Sequence, residues 1–221
     1  MEHGKHIQAC RRCGTCCEKG GPSFHMADKK LIEKGGIHTR DLYTIRKGEK
    51  VHDNVMDGFI TADTDIIKIK GQNHTWTCRF YDVRNRTCTI YAKRPLECRV
   101  LKCWDTRDIR ELYQTERLRR KDLLKDIQGL WPLIEDHEQR CSYRKLALAV
   151  KDLEGSFQKA AISRIMEMVR YDIEIRKLVV EKGNIESGMT DFLFGRPLTK
   201  TIVMYGYRVK GADGKYSLVR V

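Results

Sequence analysis

From about residue 105 onward, apolar residues recur every three or four positions, which is the spacing of helices with one buried face. Ile109, Leu112, Tyr113, Leu123, Leu124 and Ile127 approximate one stripe, Thr106 can cap it, and Gly129 and Pro132 interrupt it. A longer pattern runs from about Tyr143 to Glu181 through Leu146, Val150, Leu153, Phe157, Ala160, Ile165, Val169, Ile173 and Leu178, and Gly183 closes it. The chain then returns to strand-like sequence. TIVMYGYRV (201–209) and KYSLVRV (215–221) flank KGADG, whose Asp-Gly pair predicts a hairpin.

Before residue 105 the elements are short. ADKKLIEKGG (27–36) predicts a helix capped by Asp28, and TRDLYTIRKG (39–48) a second one capped by Thr39. IIKIKG (66–71) and WTCRF (76–80) read as strands around the turn residues GQN, and RNRT (84–87) as a turn before CTIY. The expected fold class is α+β. A small, loop-rich module at 1–104 is followed by a helical region with a C-terminal hairpin at 105–221, the two packed as one unit.

The cysteines give the first half its chemistry. There are nine in 221 residues, an odd number, and the opening MEHGKHIQ has no apolar run of the secretory kind. The expected setting is therefore cytoplasmic and reducing, where a disulfide framework is disfavoured. No stretch approaches the roughly 20 apolar residues of a membrane span.

Cys10, Cys13, Cys16 and Cys17 occupy eight consecutive positions, CRRCGTCC. A C-x2-C turn delivers two thiolates to one point, and Cys10, Cys13 and Cys16 make two such turns that overlap. Cys17 points away from Cys16 and suits a second site or another iron of the same cluster. Cys78, Cys88, Cys98 and Cys103 bring the thiols to eight, enough for two sites of four. Three closely spaced cysteines are more typical of a loop that wraps several irons than of one that holds a single ion. An iron-sulfur cluster of the 4Fe-4S type is favoured, with zinc as the alternative. Cys141 reads as a buried or incidental thiol, and His25, His74 and His137 as ordinary surface histidines.

The first run, followed at a distance by Cys78 and by CTIYAKRPLECR, resembles the YkgJ-type cysteine-cluster family, described as a zinc- or iron-chelating domain. Cys88, Tyr91, Arg94, Pro95, Cys98 and Arg99 stand at the family spacing C-x2-Y-x2-R-P-x2-C-R. The resemblance covers roughly residues 10–103 and implies a metal held by thiolates. Arg94 and Arg99 are then expected to donate hydrogen bonds to the sulfurs, with Pro95 shaping the turn that aims Cys98. Some relatives, the flagellin lysine methylases, carry a similar cluster in a larger enzyme. This chain shows no glycine-rich cofactor loop after a strand, so methyl transfer does not carry over.

Lys and Arg outnumber Asp and Glu by 43 to 30, a net charge of +13. That balance favours an acidic protein or redox partner, or nucleic acid, although no nucleic-acid motif accompanies it. The basic run ERLRRKDLLKD (116–126) reads as a solvated helix face. Asp105 and Asp108 read as a helix start, and Glu135, Asp136 and Glu138 as a polar turn, so no acid/base pair for catalysis emerges. The expected function is metal binding in electron transfer or in support of a redox enzyme. The alternative is a structural zinc protein whose basic surface binds nucleic acid or an acidic protein partner.

Overall fold

The computed structural model describes residues 10, 12–53, 58–73, 75–113, 115–212 and 215–221. His74, the opening MEHGKHIQ and the Asp213-Gly214 turn lie outside the described residues. The fold is α+β: four separate two-stranded antiparallel pairs and a set of mostly short helices.

The central pair is Leu42–Ile45 with Ile66–Ile69, registered from Leu42 opposite Ile69 to Ile45 opposite Ile66. Ile66, Ile67 and Ile69 are all buried, as a strand covered on both faces requires. The chain leaving the first cysteine run lies along its other edge: Phe24 N–H donates to the Ile67 carbonyl at 3.0 Å, and Ile69 N–H to the Pro22 carbonyl at 3.2 Å. Gly21 is needed at this approach, because a Cβ there would stand 2.4 Å from the Ile69 oxygen.

The sequence expected a helix over 39–48. Only Thr39–Asp41 makes a 3-10 turn, and the chain then enters the strand Leu42–Ile45. The β-forming LYTI, with a partner 24 residues on, overrides the capping signal. The partner of Ile66–Ile69 is thus Leu42–Ile45, and WTCRF contributes only the isolated bridge from Gly71 to Cys78. The helix expected at 27–36 is a 3-10 turn, Met26–Asp28, running into Lys29–Glu33. Its first turn is tied by Asp28 to the His25 N–H at 3.2 Å.

In the second half, Leu130–Arg140 begins after Gly129 and contains Pro132 in its first turn, where no backbone donor is lost, so Pro132 does not interrupt it. Glu135, Asp136 and Glu138 therefore lie on a helix. The pattern from Tyr143 to Glu181 divides into Tyr143–Lys151, a 3-10 turn Asp152–Glu154, and Gln158–Glu181, with Gly155, Ser156 and Phe157 between the last two. Of the C-terminal stretch, Ile202–Tyr205 is 3-10, and the hairpin pairs Tyr207–Ala212 with Lys215–Arg220.

Two apolar clusters hold these elements. The first joins Phe24, Leu42, Ile67, Ile69, Cys78 and Tyr81 to Leu118, Leu124, Ile134, Ile175, Phe192 and Phe194. The second surrounds Cys141, Tyr143, Leu146, Ile165, Val169 and Leu198. Arginines also enter the interior. Arg120, expected on a solvated face, is 1% exposed; it donates to Asp65 at 2.8 Å and to Glu138 at 2.8 Å. Arg46 reaches the same Glu138 from the other half at 3.3 Å, so these buried cations are paired.

Candidate metal centre

The first cysteine run owes its shape to Gly14. Its φ of 87° reverses the chain before the single turn Thr15–Glu18, and a Cβ there would meet the Tyr81 hydroxyl at 1.8 Å. Cys16 and Cys17 sit on that turn, and Tyr81, on the strand pair Tyr81–Asp82 with Thr87–Cys88, closes over it. Cys88 lies directly opposite Tyr81 in that pair. The turn between the strands is drawn tight by Asp82, which accepts from the N–H groups of Arg84 and Asn85 at 2.9 and 3.1 Å. Cys78 is buried, and its N–H donates to the Cys17 carbonyl at 2.7 Å. Cys98 sits on Leu96–Val100, which starts after Pro95.

These thiols feel one another. Burial pushes Cys98 up, and the nearby Cys78, Cys16 and Cys88 push it further. Cys78 is raised by burial and by Cys88 and Cys16. A hydrogen bond between the Cys16 and Cys17 thiols lowers Cys16 to about 6 and raises Cys17. Cys13 is exposed and held below the ordinary thiol value by the Thr15 hydroxyl 3.4 Å away. Cys16, Cys17, Cys78, Cys88 and Cys98 are thus near enough to influence one another's charge, and Cys13 feels Cys16. Cys10 and Cys103 are exposed. Mutual repulsion among crowded thiolates is what a thiophilic cation relieves, so the donor set fits zinc or iron.

The two motifs also meet outside the sulfurs. The Arg12 guanidinium lies 4.4 Å from the Tyr91 ring centroid and that of Arg94 lies 3.8 Å from it. Arg94 donates to the Tyr91 carbonyl at 3.3 Å, and Arg99 pairs with Asp28 at 3.6 Å. Gly14, Tyr81, Glu97 and Asp28 support the site, and the sequence reading assigned none of them to it. The signal for Glu97 was its place inside R-P-x2-C, beside a proposed ligand.

Among the described residues, the set of three metal-capable groups lying within 4.8 Å of one another is His137, Cys141 and Asp172, all buried, and no trio of cysteines meets that spacing. Most of its polar atoms are already engaged, although the buried His137 Nδ1 has no hydrogen-bond partner. Asp172 accepts from His137 Nε2 at 2.8 Å, Arg176 Nε at 2.9 Å and the Leu198 N–H at 2.8 Å, while the Cys141 thiol donates to the Met168 carbonyl at 3.4 Å. With Arg46 also donating to the Cys141 carbonyl at 3.2 Å, this is a neutralised ionic core. His137 and His25, expected at the surface, are 0% and 2% exposed.

No helix among the described residues is long and apolar enough to cross a membrane. No curated protein and no solved structure matches the chain. A family model does match, over residues 9–116, the segment that holds both cysteine motifs. The model is that of the CxxCxxCC family, described as a "Putative zinc- or iron-chelating domain".

Proposed function

We propose that Cys10, Cys13, Cys16, Cys17, Cys78, Cys88, Cys98 and Cys103 hold one or two iron-sulfur clusters, 4Fe-4S favoured, in a cytoplasmic protein that transfers electrons or supports a redox enzyme. The observation that carries this reading is that the two cysteine motifs meet: the Cys78 N–H donates to the Cys17 carbonyl at 2.7 Å, Cys88 lies opposite the Tyr81 that closes over Cys16 and Cys17, and Arg12 and Arg94 both pack on Tyr91. A cluster supplies one-electron chemistry when bound. The chain's own residues set its surroundings. Cys78 is buried and Cys98 half-buried, which restricts water on that side, whereas Cys10, Cys13, Cys16 and Cys103 face solvent, where a partner can approach. Arg12 and Arg94, packed with Tyr91, place positive charge near an anionic site.

Zinc on the same thiols is the second reading. The net charge of +13 favours it in one respect, because a structural zinc module with a basic surface suits an acidic partner or nucleic acid. Anaerobic purification followed by metal analysis and a visible spectrum separates the two. Brown protein with stoichiometric iron and acid-labile sulfide is expected. Colourless protein with stoichiometric zinc refutes the cluster reading, and salt-dependent nucleic-acid binding then becomes the next measurement.

A further inference from the structure

We propose that Glu97 is a positioning residue for the Cys98 thiol and that, with His25 and Asp28, it fixes how the second cysteine motif meets the first; the inference rests on the metal reading above. Leu96–Val100 has five residues, too few to hold its own shape. What holds it is a pair of carboxylates, the buried Asp28 and the half-buried Glu97, at its first turn. Asp28 Oδ1 accepts the Leu96 N–H at 2.9 Å, and its other oxygen takes the His25 N–H at 3.2 Å. Glu97 reaches back to the segment that follows the first cysteine run: Oε2 accepts the Ser23 N–H at 2.6 Å, and Oε1 faces His25 Nε2 at 3.3 Å.

The node is held from several elements. His25 is 2% exposed, and its Nδ1 meets the Thr115 hydroxyl at 3.0 Å, which fixes the ring. Arg117 stands 3.7 Å from Glu97, and Lys68 donates to the Ser23 hydroxyl at 3.4 Å. Ser23 is itself bridged to Lys68, on the strand whose end leads through Gly71 to Cys78. Moving Cys98 relative to Cys17 or Cys78 therefore requires breaking charge-assisted hydrogen bonds in a buried setting. A glutamate one residue before a ligand would ordinarily be solvent-facing; here it joins the helix carrying Cys98 to the strand and loop carrying the other thiols.

The test uses the full chain, loaded anaerobically with iron and sulfide and, separately, with cobalt(II) as a visible substitute for zinc. Glu97→Gln keeps an acceptor for the Ser23 N–H and is expected to match wild type in metal content and visible circular dichroism. Glu97→Ala is expected to bind at least about tenfold more weakly, with an altered signature. Leu146→Ala, in the other core cluster, is the stability control; it should melt earlier while keeping the wild-type signature. Three results overturn the inference: Glu97→Ala indistinguishable from wild type, Leu146→Ala altering the signature as much as Glu97→Ala, or Cys98→Ser keeping the full wild-type signature. A wild-type chain that takes up neither metal refutes the metal reading itself, a different outcome from a loaded wild type that Glu97→Ala merely matches.

Discussion

At the residue scale the buried His137–Asp172 pair makes stability depend on pH in a defined direction. His137 lies below the ordinary imidazole value because burial, then the nearby Arg46 and Arg176, outweigh the hydrogen bond to Asp172 that raises it. Its folded value is below its unfolded one, so its contribution is full above about pH 6.5 and is lost as pH falls below it. Asp172 is pushed up by burial, but the hydrogen bond from His137 and the charge of Arg176 prevail and hold it at about 2, against an ordinary 3.8. Its contribution, about 2 kcal/mol, is present above pH 4 or so and is lost toward pH 2. Urea melts of wild type and His137→Gln across this range are expected to diverge below pH 6.5, wild type losing stability faster. Parallel curves between pH 8 and pH 5 would count against a neutral, buried imidazole. None of this was legible in HEQRCSY, because a histidine carries no local mark of burial. Arg120 was misread for the same reason: its partners, Asp65 and Glu138, lie 55 and 18 residues away.

At the element scale, the turn into Thr15–Glu18 depends on one atom too many being absent. Gly14→Ala imposes a left-handed backbone on alanine and drives its Cβ into the buried Tyr81 ring, at 1.8 Å from the hydroxyl and 2.3 Å from the adjoining carbon. The expected loss is about 2 to 4 kcal/mol, the left-handed strain plus an overpacking term, with lower metal retention besides. A chemical melt within about 0.5 kcal/mol of wild type would show that Tyr81 swings aside freely. Elements of this half were harder to read than those of the second because long-range pairing decides them. Leu42–Ile45 is a strand only because Ile66–Ile69 lies beside it, and Cys88 pairs through two residues per strand. The helices beyond residue 105 announce themselves by spacing, but spacing runs through Gly155 and Ser156 without registering the break between Lys151 and Gln158.

At the scale of the molecule, the metal-binding segment and the helices share an interior. Phe24, Leu42, Ile67 and Ile69 are each at most 1% exposed, and the residues that cover them include Leu118, Ile134, Phe192 and Phe194 from the second half. Polar ties cross the same boundary. The Thr44 hydroxyl donates to the Phe192 carbonyl at 2.7 Å, and Lys70 to the Gly188 carbonyl at 2.7 Å. The family match ends at residue 116, yet the apolar face behind the thiols is finished by residues well past it. A fragment of residues 1–104 would expose those four side chains, each worth roughly 1.5 to 3 kcal/mol when buried, a loss comparable to the whole stability of a typical domain. Without metal the fragment is therefore expected to show no cooperative thermal transition, to bind a hydrophobic dye and to be cut readily by protease, whereas the metal-free full chain melts cooperatively. Loading the fragment under anaerobic conditions should restore order only in part, since thiolate ligation joins the two motifs but covers none of the exposed apolar face. A metal-free fragment that melts cooperatively near the full chain's temperature would show that the helices are companions to the metal module and not the other half of its core.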